Sequence, residues 1–220
     1  MSAFSERELV GLLKLHADWL RGETGGQQLQ LQGANLENAN LVGADLEKAD
    51  LKGACLRGAN LLAANLKVAV LTGADLTGAN LTSANLEGTF MDEAILAGAD
   101  LSKATLLYTS LQRANFMGAI LRGGLIQSAN LTDANLSGAD FSRARLHKAI
   151  FSGANLEKAD FSSASIYSAN FSGARLIKTV FKGAYLHDLI LSGAEMEGTV
   201  LRPKDIKEKI IRSRRGRSTR

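Results

Sequence analysis

The stretch from Ala34 to Leu51 reads Ala34-Asn35-Leu36-Glu37-Asn38, Ala39-Asn40-Leu41-Val42-Gly43, Ala44-Asp45-Leu46-Glu47-Lys48, Ala49-Asp50-Leu51, and its pattern returns every five residues along most of the chain. Sampling every fifth residue from Leu31 to Leu201 gives 35 positions: 25 Leu, 6 Phe, 2 Ile and 2 Met, without a break in register. Two residues before them, 28 of the 34 positions from Ala34 to Thr199 are Ala, the exceptions being Thr89, Thr109, Gly124, Thr179, Leu189 and Thr199. Asn or Asp stands between the two in 17 of the 35 units. The unit is Ala-Asn/Asp-Leu-x-x.

A period of five fits neither an α-helix nor a coiled coil, because its apolar positions would drift around the helix axis. In extended backbone, residues two apart point to the same side. Ala and Leu therefore face inward together while Asn or Asp faces outward, and each unit makes one short face. Sixteen Gly follow the central residue by two positions. Sorting the units onto four recurring faces puts six on face one (Gly33, Gly53, Gly73, Gly153, Gly173, Gly193) and six on face two (Gly58, Gly78, Gly98, Gly118, Gly138, Gly198). Phe141, Phe161 and Phe181 also recur at twenty, as do Asn40, Asn60 and Asn80. The expectation is a twenty-residue coil of four faces with Gly at corners that a Cβ would hinder. Stacked at roughly 4.8 Å, about nine coils make a rod on the order of 40 Å long. Its favourable energy comes from the Leu/Phe columns, at about 1.5–3 kcal/mol per fully buried side chain.

On these units, residues 31 to 201 resemble the pentapeptide-repeat family. The resemblance implies an all-β fold, a quadrilateral right-handed parallel β-helix whose central Leu/Phe and preceding Ala point inward. The handedness comes from the resemblance alone.

Open coil ends expose unpaired backbone, so caps are expected. Ser5-Glu6-Arg7-Glu8 reads as a capping box, Leu9, Leu12, Leu13, His16 and Leu20 follow helical spacing with Trp19 in the same seam, and Gly22 ends the helix. The segment from Leu13 to Glu23 is similar to a helical lead-in of many bacterial family members. Pro203 opens a second short helix, in which Ile206, Ile210 and Ile211 would cover the last coil or a second copy of it; family members often dimerise through C-terminal ends. The expected organisation is a capping helix and linker over 1–25, the β-helix over 26–202, a C-terminal capping helix over 203–212 and a basic disordered tail over 213–220.

The chain has 220 residues, 45% hydrophobic and 22% charged, which excludes a disordered chain. No run of 18 apolar residues and no secretory h-region is visible, and the single Cys55 makes no internal disulfide, so a cytoplasmic protein without a membrane span is expected. The net charge of +4 is uneven: Arg202 to Arg220 carries +7 and the remainder −3. A nearly neutral body argues against a basic nucleic-acid groove. The tail could attract nucleic acid only through salt-sensitive, sequence-blind contacts.

Nothing in the motifs supports catalysis. There is no metal-ligand cluster, phosphate loop or nucleophile elbow, and no catalytic residue, cofactor or metal is expected. His147, Tyr167 and His187 fall on one outward column of the fourth face, with Arg145 and Tyr185 on the next. The histidines stand two coils apart, on the order of 10 Å, too far to share a metal. This patch can hold an acidic or apolar group of a partner, or else it is ordinary cross-strand packing. Leu107, Tyr108 and Leu125 form an outward apolar group lower on that face, while Phe90 and Ile95 interrupt the Asn/Asp ladder on others. Asn40, Asn60, Asn80, Asp100, Asp140 and Asp160 invite comparison with family members that mimic DNA and act on DNA gyrase, but those are notably acidic and this body is not. The leading expectation is a non-enzymatic scaffold for an unidentified protein partner, ahead of gyrase modulation and tail-driven nucleic-acid binding.

Overall fold

Residues 4–200 are described by the computed structural model. Parallel backbone bridges link each residue before the central position to its equivalent twenty residues later, from Gln30↔Asp50 to Val180↔Val200. The coil of twenty residues and four faces is thus set by the main chain. Most faces contribute one bridge only; two lengthen into strands, β1 (Ser165–Tyr167) and β2 (Tyr185–His187), which pair in parallel on face four.

Four of five N–H groups in a typical unit find a carbonyl. The central Leu36 donates to Cys55 of the next coil at 2.7 Å, Cys55 donates back to Ala34 at 2.8 Å, and Asn38 donates to Arg57 at 2.8 Å. Ala39 closes the corner by donating to Leu36 at 3.0 Å. The N–H after the central residue is left over, and Asn or Asp supplies its acceptor: Glu37 donates to Asn35 Oδ1 at 3.1 Å, and the same bond recurs in all 17 units carrying Asn or Asp. An outward side chain thereby satisfies a donor in the turn, as Asx residues do elsewhere.

The corner dihedrals give the expectation about glycine its physical cause, and they are not confined to glycine. All 34 positions two after a central residue, from Gly33 to Gly198, have left-handed φ, and 18 of them are not Gly, among them Lys103 (φ 60) and Tyr108 (φ 58). A Cβ at Gly33, Gly73 or Gly98 would meet nothing within 4 Å. At these positions Gly is favoured by the dihedral, in which a Cβ crowds its own backbone, while at Gly58 and Gly153 a Cβ would also meet the side-chain tips of Asn38 and Asp133.

Every central residue from Leu31 to Leu191 is buried. Toward the C-terminal half the interior becomes aromatic. Phe161 stacks between Phe141 (4.8 Å, 4°) and Phe181 (5.1 Å, 7°) and meets Phe151 and Phe171 of the opposite face edge-on at 6.1 Å. Buried Thr replaces Ala at a few corners without leaving its hydroxyl unmatched: Thr109 Oγ1 donates to the Leu86 carbonyl at 2.8 Å and Thr179 Oγ1 to Leu156 at 2.8 Å.

Ahead of the coil lies α1 (Glu6–Leu20), opened by Ser5 and Glu8 in a reciprocal capping box. Leu9 and His16 are buried, Leu12 and Leu13 partly so against the coil's core, and Trp19 stacks on His16 at 5.6 Å. Gly22 (φ 72) follows the helix, and at Gly26 a Cβ would overlap the backbone nitrogen of Trp19, so here glycine permits a close approach.

Candidate interaction surface

Face four gathers most of the residues singled out from the sequence. His147 and Tyr167 meet edge-on with ring centroids 4.9 Å apart, and Tyr167 and His187 lie 5.6 Å apart, tilted by 31°. His147 Nε2 is 3.4 Å from Ser165 Oγ, and His187 Nδ1 is 3.0 Å from Asp188 Oδ2. In the neighbouring column Arg145 bridges Leu125 and Ser165, and Ser165 pairs with Tyr185. Arg145, Tyr167 and Tyr185 are exposed, Tyr185 by 59%. Lower on this face Leu107 and Leu125 are half-buried, while Tyr108 stands out at the corner, 68% exposed. Phe90 and Ile95 are exposed on faces one and two and do not join this group. Ile206, Ile210 and Ile211 lie outside the described residues.

The backbone of face four also departs from the rest. The corner bond seen as Ala39 to Leu36 is missing after Leu106, Ile126, Ile166 and Leu186, and stretched to 3.5 Å after Leu146. The five units concerned carry Thr105, Leu125, Arg145, Ser165 and Tyr185 where others carry Asn or Asp. Without that side-chain acceptor the turn opens, and at Ser165–Tyr167 and Tyr185–His187 it straightens into strand. Units lacking Asn or Asp on other faces keep the bond, as Ala74 does to Leu71 at 2.9 Å, so the loss of Asx permits the opening without forcing it. Five consecutive non-Asx units were a signal available in the sequence; so were Arg143 and Lys148, exposed beside this column, which the sequence reading passed over.

The Asn/Asp ladder behaves differently. Asn80 Nδ2 donates to Asn60 Oδ1 at 3.2 Å while Asn60 and Asn80 accept from Leu62 and Thr82. Asp140 accepts from Ser142 and pairs with Arg122 at 2.7 Å; these bonds hold its carboxyl below the usual range although burial opposes them. Its oxygens are engaged by the protein's own donors. Among the described residues no group of three His, Cys, Asp or Glu is placed to hold a metal, and no helix is long and apolar enough to cross a membrane.

The pentapeptide-repeat family model matches residues 28–62, 59–96, 91–123, 127–163 and 164–202 in eight copies. The chain belongs to the pentapeptide-repeat family. The family's right-handed β-helical solenoid is the architecture described above. Among solved structures of pentapeptide-repeat proteins, HetL, involved in heterocyst differentiation regulation in the cyanobacterium Nostoc sp. strain PCC 7120, is 31% identical, with 83% of this chain and 91% of that chain covered and a TM-score of 0.56. Full-length QnrB1, a plasmid-mediated fluoroquinolone resistance protein, is 18% identical over 80% of this chain and 93% of that chain, with a TM-score of 0.49. Rfr23 from the cyanobacterium Cyanothece 51142 is 24% identical over 60% and 91%, with a TM-score of 0.34. No curated protein matches the sequence.

Proposed function

We propose that this pentapeptide-repeat protein is a non-enzymatic, rigid β-helical scaffold that works by protein-protein contact, with face four as its contact surface. The observation that carries this reading is the division of labour among side chains. Central and Ala positions fill the interior, and Asn/Asp side chains complete the turns. The rings of His147, Tyr167 and His187, with Arg145 and Tyr185 beside them, serve neither purpose. Aromatic residues and Arg are the types enriched where proteins meet. HetL, the 31% identical relative, is involved in regulation of differentiation, which fits a role exerted through contact. In this reading the segment up to residue 25 closes the first coil and the repeats from residue 26 onward form the rod of a cytoplasmic protein; the C-terminal helix and basic tail expected over 203–212 and 213–220 lie outside the described residues.

The reading is tested by placing a photo-crosslinking residue at Tyr167 or, on the opposite face, at Met117, and irradiating cells of the source organism. Discrete adducts from Tyr167 and none from Met117 are expected. Equal labelling from both positions, or none from either, removes the reading.

A further inference from the structure

We infer that face four and the corner leading into it, from Lys103 to Asp188, recognise an acidic, extended segment of a partner protein; this rests on the scaffold reading above. Twenty outward positions make up this panel. Lys103, Arg143, Arg145 and Lys148 are cationic, and Asp188, at the far end and paired with His187, is the one acid. Elsewhere on the coil the arginines have partners: Arg57 with Asp75, Arg113 with Glu93, Arg122 with Asp140 and Arg175 with Glu195. Arg143, Arg145 and Lys148 make no ion pair among the described residues, because their neighbouring columns hold Ser, Leu, Gln, Asn, Ile and aromatic residues. Guanidinium groups left free in this way are suited to bidentate pairing with carboxylates.

The run of units without Asx adds donors, which on this face lie side by side in successive coils. In Asx units the N–H after the central residue bonds an outward oxygen; at Leu107, Gln127 and His147 that N–H has no acceptor among the described residues. It is therefore available to a carboxylate or carbonyl laid on the face. Lys103 and Arg143 stand two coils apart on one corner, on the order of 10 Å, a distance that three or four extended residues span. Single-stranded nucleic acid is the less suitable ligand, since bases bind by stacking on open ring faces. The rings of His147, Tyr167 and His187 pack against one another along the column instead.

The test uses full-length protein and a fluorescein-labelled octaglutamate peptide, followed by anisotropy. Variants are the panel triple Arg143→Ala/Arg145→Ala/Lys148→Ala and a tail variant with Arg212, Arg214, Arg215, Arg217 and Arg220 replaced by Ser. The expected result is binding that the panel triple weakens by about tenfold or more while its melting is unchanged, and that the tail variant largely keeps. Ring resonances of His147 and His187 should shift on binding, and those of buried His16 should not. The inference is overturned if the triple binds like the parent, if only the tail variant loses binding, or if an oligothymidylate displaces the peptide and binds the same panel more tightly. A Tyr167 cross-link that survives in the panel triple while the peptide fails to bind sinks the acidic-segment inference alone. Absence of both cross-link and peptide binding removes the scaffold reading with it.

Discussion

His16 Nδ1 accepts a hydrogen bond from the Leu29 N–H at 3.0 Å, while the other ring nitrogen, Nε2, lies 3.0 Å from the Glu47 carbonyl. Because Leu29 offers a proton and Glu47 a lone pair, the ring is held as the neutral Nε2–H tautomer. One imidazole on α1 thus ties the helix to residues in the first turn of the solenoid, and it is wholly buried where it does so.

Protonation of that ring would place an N–H against the Leu29 N–H. Burial pushes the His16 pKa down, and the opposing pull of the Glu47 carbonyl and the nearby Asp45 and Glu47 carboxylates does not restore it. A base whose folded pKa is depressed contributes fully above its unfolded pKa, near 6.5, and its contribution is lost as pH falls below that value toward the folded one. Trp19, the only tryptophan, stacks on His16 and reports the docking. Its fluorescence melt should therefore soften between pH 7 and pH 5. His16→Phe should flatten this dependence while costing about 1–3 kcal/mol at neutral pH, because Leu29 and Glu47 lose their partner. An unchanged slope in the variant would show that another group governs docking.

Two glycines separate dihedral strain from steric overlap. Gly98 has φ 65 with open space where a Cβ would stand, whereas a Cβ at Gly26 would run into the backbone of Asp18 and Trp19. Gly98→Ala should cost about 1 kcal/mol, the strain of a left-handed Ala. Gly26→Ala should cost about 2–3 kcal/mol through overpacking, and its loss should appear first in the Trp19 signal. Denaturant melts of both variants decide the matter; the reverse order of costs would refute the assignment.

The coil was legible because inward pointing and repeat length are properties of the local unit: Ala34, Leu36 and Leu56 carry the same instruction. The capping box at Ser5 and Glu8 was legible for the same reason. What escaped depends on partners far away in sequence or on dihedrals that side chains do not announce. His16 looked like one more seam position because its two partners, Leu29 and Glu47, become neighbours only when α1 docks. Lys103 and Tyr108 adopt the same left-handed φ as Gly98, so the corner conformation is set by the coil and Gly merely relieves it. On face four, His147 and Tyr167 were identifiable as a column and the missing Asx residues beside them could be read too, but the opening of the turn was not legible, because other non-Asx units, such as that of Leu71, keep the corner bond.

The bridge spacing makes a prediction about deletions. Removing residues 61–80 joins Asn60 to Leu81 and leaves every later unit on its original face, since partners lie twenty residues apart. Removing residues 61–65 shifts all later units by one face and sets Gly, Phe and Thr positions out of column. The first deletion should melt cooperatively as a shorter rod and the second should lose several kcal/mol or the cooperative transition. Equal tolerance of both, measured by circular dichroism melts, would contradict a four-faced coil.

Phe161 concentrates the packing of the C-terminal half, with two stacked and two edge-on aromatic neighbours. Phe161→Ala opens a cavity whose walls are four other coil residues tied to the backbone ladder above and below, so they have little freedom to collapse into it. A loss at the upper end of the range for such truncations, about 4–5 kcal/mol, is expected. Phe161→Leu restores the residue found at most central positions and should cost under about 1.5 kcal/mol. Leu81→Asp supplies the contrast on the same face: it buries a charge without a counter-ion and should unfold the surrounding coils, whereas Thr82→Asp, one residue further and partly exposed, should be mild. Hydrogen exchange resolved along the chain discriminates these cases, because Phe161→Ala should loosen amides around residues 141–181 first while those near Leu81 stay protected; loss of protection spread evenly over the rod would show that the aromatic column is not a local anchor.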